Sequence, residues 1–308
     1  MRTWLARLAR APVWLLLMAT AAGACGGGAA APAAPGPAVS NLQLTFAGQT
    51  RDFRVYVPPT LDRSRPAPLV LVLGGVGDNT ESMTANTGFD NEADKGGFVV
   101  AYAQSVDLNW EAGFCCLGQA SSGADDVGYL GHLLDRLEAG HRVDAGHVYV
   151  VGVSAGAMMA YRLGCEAAGR IAGIGSVAGA MVLDSCHPAR PVSVIELHGT
   201  ADPLVPYAGG AVMPEGVATE PVPSSPDLAA RWAAIDGCPP APATTEAPPV
   251  TTSTWSGCAA GTGVRLVTIA GGGHTWYSTG YGPLDGAVDA TGQIWGFLAG
   301  LRRPPAHA

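Results

Sequence analysis

Charge is scarce in this chain. Asp, Glu, Lys and Arg make up 14 % of its 308 residues, and the formal net charge is −8. No basic cluster occurs outside the N-terminal leader, which excludes nucleic acid as a partner. A bilayer-spanning stretch is missing as well, because the apolar run at residues 11–18 is too short to cross one. The 7 cysteines show no spacing of the zinc-site kind, so no metal is expected. Gly74-Gly75-Val76-Gly77 is not followed by a helix and acid at the spacing of a dinucleotide fingerprint, so no cofactor is expected either. What remains is 48 % hydrophobic, enough to bury a sizeable core in one large domain.

The N-terminus reads as an export signal. Arg2, Arg7 and Arg10 precede the apolar run, and Ala22-Gly23-Ala24 is a small-residue cleavage site. Cys25 follows at once and completes a bacterial lipobox, except that Ala22 stands where leucine is usual. The expectation is a signal over residues 1–25 with lipid on Cys25, and a Gly/Ala/Pro tether over 26–40. A catalytic domain then runs over 41–302, with a tail at 303–308. The protein is expected to be secreted or held at the cell surface, with the lipid as its only membrane contact, and to be a monomer. With Cys25 lipidated, six cysteines remain for an oxidising compartment. Cys238 should pair with Cys258, and Cys165 with Cys186. Cys115 and Cys116 either form a vicinal bridge or exchange with the second pair.

One stretch organises the rest. Residues 148–151 are a short buried strand, Gly152-Val153-Ser154-Ala155-Gly156 is a G-x-S-x-G turn, and Ala157 to Leu163 are good helix formers. Strand, sharp turn and helix are the context that makes this motif a nucleophile elbow. The helix N-terminus then aims free N–H groups at a developing oxyanion.

Strands are expected at 42–46, 53–58, 69–73, 98–102, 171–177, 192–197 and 264–269. Helices are expected at 125–140, 225–235 and 291–301. Asp125 and Asp126 at the first of these helices read as cap and dipole partners. Strands alternating with helices predict an α/β fold: a mainly parallel sheet covered on both faces, with functional groups at the carboxyl ends of its strands.

A serine nucleophile needs a base, and the base an orienting acid. Asp202 follows the strand at 192–197, and His274 follows the strand at 264–269. Both fall in the chain order Ser, Asp, His of the hydrolase arrangement. Asp184 and Asp236 are the fallback acids. His198 ends its strand and reads as structural; His132, His141 and His147 precede the serine; His187 and His307 lie in a connection and a tail. The oxyanion donors should be the Ala155 N–H and one from the loop after residue 73, at Val76 or Gly75.

These motifs carry a resemblance. Trp110 with Cys115-Cys116, DDVGYL, VYVVGVSAGAMMAYRLGCE, HGTADPLVPYAGG, RWAAIDGC and GGGHTW together resemble the secreted polyhydroxybutyrate depolymerase and feruloyl esterase family, in its actinobacterial lipoprotein branch. The resemblance implies an α/β-hydrolase fold without a cap domain and a serine esterase acting on carboxylic esters. The family usually has His-Gly where this chain has Gly74-Gly75, so a looser oxyanion loop is expected. Only about 14 residues separate the strands ending at 177 and starting at 192, which leaves no room for a lid. An open cleft suits a bulky, aryl or polymeric ester, with Trp110 and Trp276 as flat walls. A cell-envelope acyltransferase shares the acyl-enzyme chemistry and is the alternative. A non-catalytic binding protein would have lost a triad member, and none is lost.

Overall fold

The computed structural model describes residues 38–115, 123–141, 143–212, 220–278 and 288–303. Contacts divide the chain into Met1–Ala34 and Pro35–Ala308, and the first unit lies wholly outside the described residues. So do Cys25 and the expected lipobox.

Ten strands form one sheet. They are β1 (Ala38–Phe46), β2 (Gln49–Val57), β3 (Ala67–Leu73), β4 (Val99–Ala103), β5 (Val143–Val153), β6 (Gly173–Val177), β7 (Ser193–Gly199), β8 (Ala243–Ala247), β9 (Val250–Trp255) and β10 (Val264–Ile269). Their spatial order is β1-β2-β4-β3-β5-β6-β7-β10-β9-β8. The six central strands, β4 to β10, are parallel, and antiparallel pairs finish both edges. β1 begins inside the stretch expected to be tether.

The central strands are continuous apolar runs because both their faces are covered. Alternate residues of β3 and β5 supply two cores. Leu69, Leu71, Leu73, Val148 and Val150 meet α3 (Asp126–His141), α4 (Ala155–Glu166) and α5 (Ser225–Ile235) on one face. Val70, Val72, Tyr149 and Val151 meet α1 (Thr80–Thr87), α2 (Phe89–Gly96) and α6 (Ala290–Leu298) on the other. Pro226 sits in the first turn of α5, and Ser224 caps it by accepting from the Asp227 N–H.

The sequence reading lacked α1, α2, β8 and β9. α1 has no clear apolar face in sequence and the apolar face of α2 is only Phe89 and Ala93; α1 is set by a reciprocal cap in which Asn79 Oδ1 accepts from the Ser82 N–H at 2.8 Å and Ser82 Oγ accepts from the Asn79 N–H at 3.0 Å. β8 is exposed throughout, so its threonines show no buried alternation, and Pro248-Pro249 at the turn reads as a loop.

At the head of α3, Asp125 caps by accepting from the Gly128 N–H at 2.7 Å. Asp126 does more than complement the dipole. It is buried, ion-paired with Arg51 of β2, and accepts from the Glu111 N–H at 2.6 Å. That pair ties the loop carrying Trp110 to the sheet. Removing one partner of such a pair costs about 3–5 kcal/mol, because the other charge is left buried alone.

Candidate active site

The elbow follows from close packing. Ser154 has φ 54° and ψ −123°, a left-handed strain tolerated where the surroundings fix it. Its N–H donates to Val177 O at 2.9 Å, and its carbonyl accepts from the Met158 N–H at 3.0 Å. A Cβ on Gly152 would lie 2.2 Å from the Gly156 carbonyl carbon, and one on Gly156 would lie 2.2 Å from Leu73 O. Only glycine lets α4 approach β5 and β3 this closely. Ala155 opens α4, so its N–H belongs to the free set at a helix start.

Asp202 and His274 sit in adjacent loops past β7 and β10. Gly199 and Gly272 touch, and a Cβ on Gly199 would meet Gly272 O at 2.2 Å. The Ala201 N–H donates to Gly272 O at 2.9 Å, and the Gly271 N–H donates to Thr200 Oγ1 at 2.9 Å. These bonds lock the acid loop to the base loop. His274 Nδ1 lies 2.8 Å from Asp202 Oδ2. Asp202 Oδ1 accepts from the Leu204 and Val205 N–H groups at 2.8 and 2.9 Å. Burial acts to raise the Asp202 pKa, but the bonds from His198, His274 and Val205 hold it well below the usual carboxylate range. Asp202 therefore stays charged and holds the His274 ring through Nδ1, leaving Nε2 outside that bond.

Ser154 and His274 line one cavity of about 400 Å³ with Gly75, Val76, Met83, Val153, Leu204, Val205, Val212 and Trp276. Its walls are mostly apolar, as ester-binding clefts require. The loop after β3 is more tightly held than Gly74-Gly75 suggests. The Gly75 N–H donates to Asp78 Oδ2 at 2.9 Å, and Asp78 Oδ1 accepts from Ser82 Oγ at 3.0 Å. The Gly77 N–H donates to Leu108 O at 2.9 Å. Gly75 is thus already engaged as a donor, and Val76 is left as the loop's candidate for the oxyanion.

Trp110, expected as a cleft wall, is corrected by the structure. It is 2 % exposed and donates from Nε1 to Gly74 O at 3.0 Å. Its indole braces the loop after β3 from behind. Trp276 reaches the cavity edge but is 5 % exposed, packs on Phe89 and donates to Thr291 Oγ1 at 3.0 Å. Of the fallback acids, Asp184 is on the surface, and Asp236 caps α5 and accepts from the Val192 N–H at 3.2 Å.

Two disulfides join Cys165 to Cys186 and Cys238 to Cys258. The first pins the β6–β7 connection to α4. Cys115 is also disulfide-bonded, and Cys116 lies outside the described residues. Among the described residues, no group of three or more His, Cys, Asp or Glu could hold a metal ion.

Asp78, Glu196 and Tyr161 belong to the site's frame but escaped the sequence reading. Glu196 had a signal: it is a carboxylate between Ile195 and Leu197 in the middle of a strand, and it is 1 % exposed.

The family described as esterase PHB depolymerase matches residues 51–213. NocK of Nocardia uniformis subsp. tsuyamanensis, named as an esterase, is 32 % identical over 252 residues, covering 76 % of this chain and 73 % of NocK. Feruloyl esterase B of Piromyces equi is 30 % identical over 172 residues, 54 % of this chain, and the match spans 31 % of that longer protein. Among solved structures, an acetyl xylan esterase from Aspergillus awamori aligns with TM-score 0.57 and 16 % identity, over 77 % of this chain and 94 % of that one. A ferulic acid esterase from Anaeromyces mucronatus aligns with TM-score 0.56 and 14 % identity, over 89 % of this chain and 93 % of that one. At these identities the structural likeness shows the fold, which is that of the α/β-hydrolases. Fold and relatives together make this a carboxylic ester hydrolase. The chain belongs to the esterase PHB depolymerase family.

Proposed function

We propose that this is an exported serine esterase with Ser154 as nucleophile, His274 as base and Asp202 as orienting acid. The observation that carries the reading is the 2.8 Å contact between His274 Nδ1 and Asp202 Oδ2, on a histidine sharing one cavity with the strained Ser154 elbow. His274 Nε2 takes the hydroxyl proton as Ser154 Oγ bonds to the ester carbonyl carbon. The carbonyl π pair moves onto oxygen, where the Ala155 and Val76 N–H groups hold it. Collapse of that oxyanion breaks the bond to the alcohol oxygen, which leaves with the proton from His274. Water repeats the sequence on the acyl-enzyme, releases the acid and restores Ser154.

The β6–β7 connection, where a lid would insert, is short and held down. Phe114 donates its N–H to Val182 O at 3.0 Å, and Cys186 is bridged to Cys165. A cavity with no lid inserted at that connection favours soluble short-chain and aryl esters, without activation at a lipid interface. The feruloyl esterases among its relatives support an aryl acyl group. The leader and the disulfides support export to an oxidising compartment, with Cys25 as the lipid-bearing residue. Labelling with radioactive palmitate that is lost in Cys25→Ser checks the anchor.

The test of the catalytic reading is Ser154→Ala on nitrophenyl acetate and methyl ferulate. A fall in kcat of about 10³-fold or more is expected, the residue being binding and oxyanion contributions. A fluorophosphonate probe should label only the wild type. Labelling that persists in the variant overturns the assignment.

A further inference from the structure

The catalytic acid is shared between two histidines. We propose that His198 is a buried imidazolium that donates to Asp202 from behind and so tunes the proton hold of His274, keeping the base free at lower pH. This rests on the Ser-His-Asp reading of the site.

The geometry fixes the protons. His198 Nε2 faces two acceptors, Val205 O at 2.8 Å and Asp202 Oδ2 at 3.3 Å, so it carries hydrogen. Nδ1 faces Glu196 Oε1 at 3.1 Å and Ser225 Oγ at 2.9 Å. Glu196 Oε2 in turn accepts from Tyr161 Oη at 2.8 Å. Tyr207 presents its ring edge-on to His198 at 5.8 Å, and its hydroxyl bonds Thr268. The groups that face His198 from α4, α5, β7 and the acid loop are therefore Tyr161, Ser225, Glu196, Asp202 and Tyr207, with His274 beyond Asp202.

Glu196 and His198 are 1 % exposed and Asp202 is 7 % exposed. Two buried carboxylates without a cation between them would repel across a low dielectric. A doubly protonated His198 leaves the trio with one net negative charge. Burial alone would drive its proton off, yet the Asp202 and Glu196 carboxylates push its pKa up to about 9. His198 and His274 meet the same Asp202 oxygen. A permanent positive charge there weakens what Asp202 can offer to a second one on His274. His198 touches no substrate-facing atom and is a positioning residue.

The variant is His198→Gln, whose amide nitrogen can still donate to Val205 O but carries no charge. The acid limb of kcat/KM should move to higher pH by about one unit, a roughly tenfold loss below the limb. The two profiles should converge at pH values above both limbs, where the base is free in each. A uniform loss at all pH values, with the limb unmoved, means a merely structural role and overturns the proposal. A wild type with no acid limb sinks the triad reading instead. Should the variant not fold, ¹⁵N ring shifts of wild-type His198, assigned through contact with Tyr207, decide: two protonated nitrogens at pH 7.5 are expected, and a neutral tautomer refutes the inference.

Discussion

Replacing Trp110 by phenylalanine separates bracing of the oxyanion loop from lining of the cleft. The substitution keeps an aromatic ring and removes the Nε1–H that reaches Gly74 O at 3.0 Å. Trp110 is 2 % exposed, so water does not replace the lost donor. An acceptor left unpaired in the interior costs about 1–3 kcal/mol. The smaller ring adds a cavity cost of about 1 kcal/mol. Together that is about 2–4 kcal/mol, and at about 2–4 °C per kcal/mol the melting temperature should fall by roughly 5–15 °C. The rate effect follows from what Gly74 carries. Gly75 and Val76 come next in the chain, and a full oxyanion donor is worth about 10²–10³ in kcat. Loosening the donor without removing it should lower kcat by about 10- to 100-fold. KM for a small ester should hardly change, because the ground state does not use the hole. The assay is kcat and KM on nitrophenyl acetate and methyl ferulate, well below the melting temperature of the variant. An unchanged kcat with KM raised only for the ferulate would show that Trp110 lines the cleft, and the bracing argument would fail.

Two further expectations concern stability. Opening the Cys238–Cys258 bridge, with a sequence separation of 20, removes a constraint on the unfolded chain worth roughly 3 kcal/mol, so a Cys238→Ser, Cys258→Ser double variant should melt lower while the kcat of folded protein stays unchanged. An unshifted melt would show that the β8–β9 excursion is dispensable to the fold. Asp236 gives a pH signature: burial, against bonds from Val192 and Thr262, pushes its pKa up from 3.8 to about 6. The native state then holds a proton that the unfolded chain has lost, so stability should fall by about 1–3 kcal/mol as pH rises from about 4 to about 6, and Asp236→Asn should flatten that slope in melts taken across pH. Parallel curves for wild type and variant would refute the buried-acid account.

What the sequence made legible, and what it hid, has a physical pattern. Parallel strands buried on both faces are continuous apolar runs, so β3, β10 and the C-terminal half of β5 stand out. Ser154, Asp202 and His274 each come just after such a strand, and α/β topology gathers those loops at one edge of the sheet. Chain order alone therefore puts the three candidates together. The groups around them follow another logic. Asp78 reaches back three residues to the Gly75 N–H, and Glu196 lies two residues before His198, whose Nδ1 faces its Oε1 at 3.1 Å. A single carboxylate in a loop, such as Asp78, looks the same whether it meets solvent or a buried donor. Trp110 shows the limit most clearly. In sequence it is an aromatic residue in an irregular loop beside two cysteines, which suits a cleft wall. Its direction is decided 36 residues earlier, where β3 ends at Leu73 and leaves Gly74 O outside the ladder as a buried acceptor needing a donor. The indole N–H supplies that donor, turns the ring inward, and makes firm a loop whose paired glycines suggest slackness.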